Sequence, residues 1–420
     1  MNPFIRILCI LLLLGLVSCK TNTTESEPQA VTVTIGFTTS LTGNNSLLSG
    51  RQTNGLNLWM NQINGWGGIT LSNGSVIKFK RIVYDDAGDA ENVKTLYNRL
   101  ITEDHVDFLF SPYSSSLTDA AAEIADAQGK LLITIGAASD ETHKQGYSTV
   151  YQTYTPASRY LTGAVDLLVH LDQNAKKIAY VYENSTYSTI SVEAAKTYAE
   201  GLGDETVVNS SYEVGATDFE PFIDEITDNE AEVVLGGGHF QDGSDFTQQL
   251  DASEADIDFF ALLVAPPEPE FADIGNAALG VIGPSQWESS VAFSPESAEN
   301  AGLEWFGPQG DDFVQAYETA YNEEPSYHSM GGYAAGLILQ KAILDAGSVN
   351  TGAVTAALDS MDILTCYGRI KFDTSEQTHG LQIGHDMVYI QWQPGEGSGL
   401  VKEVVWPLEG ATAEALYPKP

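Results

Sequence analysis

The chain of 420 residues is 43 % hydrophobic and 10 % aromatic, too rich in core-forming side chains for a disordered protein. Its 57 acidic against 19 basic residues give a formal charge of -38, a field that repels phosphate backbones and anionic headgroups and excludes nucleic acid as a partner. Single cores stop growing at roughly 250 to 300 residues, so two lobes are expected.

The first residues, MNPFIRILCILLLLGLVSCK, carry Arg6, then an apolar run from Ile7 to Leu14, then Leu16-Val17-Ser18-Cys19. A basic, an apolar and a small-residue region in that order is signal-peptide grammar, and the run is too short to span a bilayer. Residues 1–18 are expected to leave as a lipoprotein signal, with Cys19 as the lipidated N-terminus and residues 19–30 as its tether; an ordinary secretory signal with an incidental cysteine is the alternative. Cys9 would depart with the signal, which leaves Cys366 alone in the fold and no internal disulfide to form.

From Val31 the chain alternates strands and helices. VTVTIGF closes into a polar loop, Thr38 to Gly50, before a helix carrying Leu56, Trp59 and Ile63. IKFKRIVYDD and a helix from Ala90 to Thr102 follow, then VDFLFSP and a helix from Leu117 to Gln128, then LLITIG. After Val150-Tyr151-Gln152 the pattern restarts: a helix from Ser158 to His170, KKIAYVYE, a helix from Ile190 to Glu200, then VVNSSYE and EVVLGGG. Helices at Phe246 to Leu250, Asp312 to Tyr321 and Met330 to Ala346 precede CYGRIKFD and a hairpin of MVYIQWQ with LVKEVVW. Ser158 and Thr351 read as helix caps. This predicts an α/β protein of two Rossmann-like lobes, parallel sheets flanked by helices. Lobe 1 is expected over 31–149 plus about 288–363 and lobe 2 over 150–287 plus about 364–420.

Ligands of open α/β sheets bind beyond the carboxyl ends of strands. Three such loops are rich in small polar groups: Thr38 to Ser49, Ser111-Pro112-Tyr113-Ser114-Ser115-Ser116, and Gly136-Ala137-Ala138-Ser139. The second enters a helix N-terminus suited to a carboxylate, although Ser114 to Ser116 are equally read as plain caps. Tyr187, His239-Phe240 and Tyr327-His328 are placed to face a cleft between lobes, and Glu268 is either an acceptor for a ligand ammonium or an exposed turn carboxylate. Gly236-Gly237-Gly238 lacks dinucleotide-binding spacing and reads as a tight turn or close backbone approach. No nucleophile, base and orienter can be assembled, so no enzyme is expected; nor is a cofactor or metal, since His379 and His385 read as a solvated pair.

In order and spacing, IGFTTSLTG, INGWGGI, YDDAGDA, SPYSSSLTDAAAEIADAQGKLLITIGAAS, KIAYVYENSTYS, Thr217-Asp218-Phe219, EPSYHSMGGYAAGLILQKAI and TCYGRIKFD resemble the solute-binding proteins of branched-chain amino-acid ABC transporters. The resemblance implies the type I periplasmic-binding fold, two lobes joined by three hinge crossings that close on a ligand. It places Ser115 and Ala138 at the ligand carboxylate, Gly136 and Ala137 at its core, Tyr187 and His239 on the second lobe, and Glu268 at the ammonium. Ser49, Tyr113, Ser114 and His328 complete the expected ligand-binding set. Ala138 keeps the N–H but lacks the family's usual hydroxyl, which argues against a standard α-amino acid. Gly88 and Ser114 stand where well-known members carry a disulfide. The implied protein is a monomeric, membrane-anchored lipoprotein facing the periplasm or cell exterior, handing an amino acid or related amide or carboxylate to a permease and its ATPase; a ligand sensor of the same fold is the alternative.

Overall fold

The computed structural model describes residues 30–291, 293–395, 397 and 399–420, so Cys19 and its tether lie outside the described residues. Its first sheet has six strands in the order β2-β3-β1-β4-β5-β6: β1 (Ala30–Thr39), β2 (Ile69–Thr70), β3 (Val76–Asp85), β4 (Phe108–Phe110), β5 (Leu132–Thr134) and β6 (Val150–Gln152). All pairings in it are parallel except that of β2 with β3. From Val33 onward every residue of β1 is buried, Thr34 and Gly36 included, because this central strand has helices over both faces.

The second sheet begins with β7 (Lys177–Glu183), β8 (Glu205–Tyr212), β9 (Val233–Gly237), β10 (Phe259–Leu262) and β11 (Ile282–Ser285). A small third sheet follows, of β12 (Glu304–Trp305), β13 (Asp362–Leu364) and β14 (Arg369–Lys371). The chain then returns to the second sheet with the antiparallel hairpin β15 (Val388–Pro394) and β16 (Leu400–Trp406). The passages β6 to β7, β11 to β12 and β14 to β15 are the three crossings between lobes.

Helices fill the intervals: α1 (Ser46–Gly65), α2 (Ala90–Thr102), α3 (Ser115–Ala127), α4 (Asp140–His143), α5 (Thr162–Leu171) and α6 (Thr186–Leu202). They continue with α7 (Glu220–Asp228), α8 (Phe240–Ala252), α9 (Pro295–Ala301), α10 (Gly310–Tyr321), α11 (Tyr327–Ala346) and α12 (Thr351–Asp359). The two longest, α1 and α11, pack backbone to backbone. A methyl at Gly55 would stand 1.7 Å from the Ser329 carbonyl oxygen, and one at Gly332 would stand 2.0 Å from that of Gln52. None of these described helices is long and apolar enough to cross a membrane.

Several local expectations change. Val150–Gln152 pairs with β5, so it closes the first sheet instead of opening the second lobe, and the β13–β14 hairpin straddles the boundary expected near 363. Strands this short carry no pattern that names their partners. The loop expected from Thr38 to Gly50 shrinks, because β1 runs to Thr39 and α1 starts at Ser46. Asn350, one residue before Thr351, caps α12. Ser158 caps nothing: it sits inside a 3-10 turn, where its hydroxyl and N–H both donate to Asp140. Gly236 is the expected close approach, with space for a methyl only 1.9 Å from the Val181 carbonyl oxygen.

His385 is buried, not solvated. Its ring stacks on Tyr367 at 4.3 Å and 7°, and its Nε2 lies 2.7 Å from the Gln286 carbonyl oxygen, to which it donates. Burial pushes the imidazole down to about 4. The unfolded chain therefore takes up this proton below about 6.5 and the folded chain only below about 4, so stability drains as pH falls through that window. We expect His385→Gln to lose about 3 kcal/mol less stability than the parent between pH 6.5 and pH 4. Urea unfolding at the two pH values measures it, and equal losses would contradict the assignment.

Candidate ligand-binding cleft

The loops at the carboxyl ends of both sheets meet across a narrow, nearly closed cleft, whose empty space of about 270 Å³ includes the solvent at its mouth. On the first lobe, β4 runs into Tyr113 and Ser114, and α3 begins at Ser115. Ser114 holds φ 80°, and its hydroxyl accepts from Leu117 N at 3.4 Å, so it caps α3 as well as lining the cleft. Ser115, also expected as a cap, is the first residue of the helix and bonds elsewhere. Its hydroxyl oxygen accepts from the N–H groups of Ala138 and Ser139, each at 3.2 Å, which ties the α3 N-terminus to the loop after β5.

Gly136 makes that loop possible. At φ 62° a side chain is strained, and a methyl would sit 2.3 Å from Gln52 Oε1 and 2.8 Å from the Tyr113 ring. Tyr154, just past β6, and Tyr327 and His328 at the start of α11 complete the first wall.

The second lobe supplies Tyr160, Tyr187 from the first turn of α6, His239 as the N-cap of α8, and Val264 after β10. Rings meet across the cleft and within each wall: Tyr113 to His239 at 6.0 Å, Tyr113 to His328 at 5.3 Å, Tyr160 to Tyr187 at 5.1 Å. Burial pushes the phenols of Tyr113, Tyr187 and Tyr327 far above their ordinary range, so they stay neutral hydrogen-bond donors. The Tyr187 hydroxyl is buried with no hydrogen-bond partner among the described residues.

Charge is held behind these walls. His239 Nδ1 lies 2.8 Å from Glu183 Oε2; burial lowers the imidazole, but the carboxylate outweighs it and the group ends up raised. Asp242 accepts from His239 N and the Tyr212 hydroxyl, and burial together with the Glu183 charge pushes it up to about 6. Donor atoms of Glu183, His239 and Asp242 lie within 4.8 Å of one another, the one grouping among the described residues close enough to hold a metal ion, though each already has a protein partner. A neighbouring, roomier hollow, about 870 Å³ by the same measure, shares Ser114 and His239 and has Gly88 and Glu183 on its walls.

Of the expected residues, the cleft gathers Tyr113, Ser114, Ser115, Gly136, Ala138, Tyr187, His239 and His328. Ser49, Ala137 and Glu268 stand outside it. The Ser49 hydroxyl is spent on Thr39 Oγ1 and Ser40 N, both at 2.9 Å, fixing the loop after β1. Glu268 is no exposed turn: it is fully buried, its Oε1 2.7 Å from His328 Nδ1 and its Oε2 3.5 Å from Arg51 Nε. Arg51 also pairs with Glu270 and donates to the Glu324 carbonyl at 2.8 Å. Burial lifts the Glu268 carboxyl, but the charges of His328, Arg51 and Lys402 prevail and hold it below the ordinary value. Sequence reasoning missed Tyr154, Tyr160 and Val264; the first two sit on the crossing after β6, where only the aromatic density of QTYTPASRY signalled them.

A model described as periplasmic binding protein matches residues 32–398. The chain is similar to Leu/Ile/Val-binding protein homolog 7 of Brucella suis, 26 % identical over 411 residues that cover 94 % of this chain and 96 % of that protein. It shares its fold with the Streptococcus pneumoniae branched-chain amino acid transporter substrate binding protein LivJ in complex with isoleucine: TM-score 0.71, 20 % identity, 89 % of this chain and 100 % of that one. It likewise matches an ABC-transporter solute binding protein of Rhodopseudomonas palustris in complex with 3,4-dihydroxy benzoic acid: TM-score 0.74, 19 % identity, 92 % and 98 % covered.

Proposed function

Because the chain belongs to the periplasmic binding protein family, as a substrate-binding protein of the ABC-transporter type and not an enzyme, we propose that it captures a small carboxylate-bearing solute between its lobes and delivers it to a permease. The observation that carries this reading is the convergence of both lobes on one cleft, where Ser115 and the loop N–H groups it gathers face neutral tyrosines and His239. The Ser115 hydroxyl at the N-terminus of α3 suits a carboxylate, and the His239 ring, held through Nδ1 by Glu183, adds a polar group on the facing wall. Buried rings supply the apolar grip that such pockets use. The solute is an amino acid, a related amide or an aromatic acid; similar proteins are named for complexes with isoleucine and with 3,4-dihydroxy benzoic acid. In this reading the receptor is a monomer with the permease and its ATPase as partners, held at the membrane by lipid on Cys19, and Leu16-Val17-Ser18-Cys19 supports the anchor.

Isothermal titration of the mature chain against amino acids, amides and aromatic acids tests the capture step. Micromolar or tighter binding of at least one class is expected, weakened about tenfold or more by Ser115→Ala. Silence across the panel would overturn the reading.

A further inference from the structure

Among the cleft-lining residues there is no aspartate, glutamate, lysine or arginine. The acid best placed in sequence to receive an ammonium, Glu268, does not line the cleft; its Oε1 is held by His328 and its Oε2, without a hydrogen bond among the described residues, sits 3.5 Å from Arg51 Nε. It belongs to the second lobe, whereas its partners His328 and Arg51 come from α11 and α1 of the first, so the carboxylate ties the lobes together instead of facing a ligand. Glu183 and Asp242 are likewise spent, on His239, its backbone N–H and the Tyr212 hydroxyl. A primary ammonium entering this space would lose its hydration without gaining a counter-charge, one of the costliest ways to bury a group.

The groups that are free describe a different guest. The Ser115 hydroxyl, which accepts from the Ala138 and Ser139 N–H groups and keeps its own proton to donate, stands at one wall, and the buried Tyr187 hydroxyl, without a partner among the described residues, at the other. An unmet buried hydroxyl favours a ligand with a polar group at that end. Between them Tyr113, Tyr154, Tyr160 and Tyr327 offer ring edges and faces suited to a planar apolar body.

We infer that the cleft takes a hydroxylated aromatic monocarboxylate lacking an ammonium group, with its carboxylate at Ser115 and its hydroxyl at Tyr187, and that Glu268 is a tie between lobes and not a ligand contact. This rests on the cleft being the solute site.

Calorimetric titration of the mature chain with matched pairs tests it: 4-hydroxyphenylpropionate against tyrosine and 3-phenylpropionate against phenylalanine, with 4-hydroxybenzoate, leucine and glycine betaine alongside. The deaminated acids are expected to bind at least about 100-fold more tightly than their amino-acid counterparts. Tyr187→Phe should weaken the hydroxylated acids about tenfold and leave 3-phenylpropionate unchanged. Equal or tighter binding of an amino acid, abolished by Glu268→Gln, overturns the inference while leaving solute capture intact. Preference for glycine betaine, its quaternary ammonium held on ring faces, overturns it as well. An indifferent Tyr187→Phe overturns the placement of the hydroxyl, and silence from every compound removes solute capture and this inference together.

Discussion

Gly55→Ala is expected to lower stability by about 3 kcal/mol or more, at the upper end of what overpacking costs. The added methyl has no space, because it would stand 1.7 Å from the Ser329 carbonyl oxygen and 3.0 Å from Tyr333 N, both backbone atoms of a helix that cannot swing away like a side chain. Moving α11 outward would pull His328 from Glu268 and Tyr327 from the cleft, since both ride on its first turn. The reciprocal Gly332→Ala, 2.0 Å from the Gln52 carbonyl oxygen, should behave alike. Gly50→Ala on the same α1 is the control: nothing lies within 4 Å of its methyl, so removing a helical glycine should stabilise by about 0.5 to 1 kcal/mol. Urea unfolding of the three variants decides the matter; a Gly55→Ala protein as stable as the parent would mean that the helices are not locked at this crossing.

Arg51→Met is expected to cost about 3 to 5 kcal/mol at neutral pH, the loss seen when one partner of a buried ion pair is removed. Glu268 would remain with no solvent and only His328 and the field of Lys402 against it, while Glu270 and the Glu324 carbonyl would lose their donor. The sign with pH follows from the depressed Glu268 carboxyl. Its stabilising share is present above the ordinary glutamate range and is lost as pH falls through the lower folded value. In Arg51→Met the carboxyl protonates more readily, so the gap between variant and parent should narrow towards pH 4. Unfolding curves at pH 7 and pH 4 check both statements; a gap below about 1 kcal/mol at pH 7 would class the pair with surface ion pairs.

The frame was legible wherever one helix turn or strand carried its own instructions. For α2, Ala90–Thr102, the expected and observed ends coincide, because Asp89 caps it and Val93, Tyr97, Leu100 and Ile101 fall on one buried face. The loops after β4, β5 and β9 could be named as cleft walls because topology alone sends them there. What periodicity does not carry is pairing between distant segments. Glu268 could be read as exposed because nothing around Ala265-Pro266-Pro267 announces that Arg51 and His328 will meet it. His385 lies between Gly384 and Asp386, a polar setting, and its burial depends on Tyr367 arriving from another turn. Tyr154 belongs to a crossing with neither strand nor helix rhythm, and Tyr160, expected inside a helix from Ser158, stands before its observed start at Thr162, so only the fold brings them to the cleft.

The tie from Glu268 to Arg51 and His328 also bears on time. Lobes fastened by a solvent-excluded ion pair do not part freely, and added salt screens such a pair far less than it screens surface charges. If a solute leaves the cleft by parting of the lobes, those contacts must come undone first, and the off-rate then carries a contribution that belongs to the chain and not to its guest. Two solutes of unequal grip would then share one slow opening step, and the dwell time of either would be set in part by residues that touch neither.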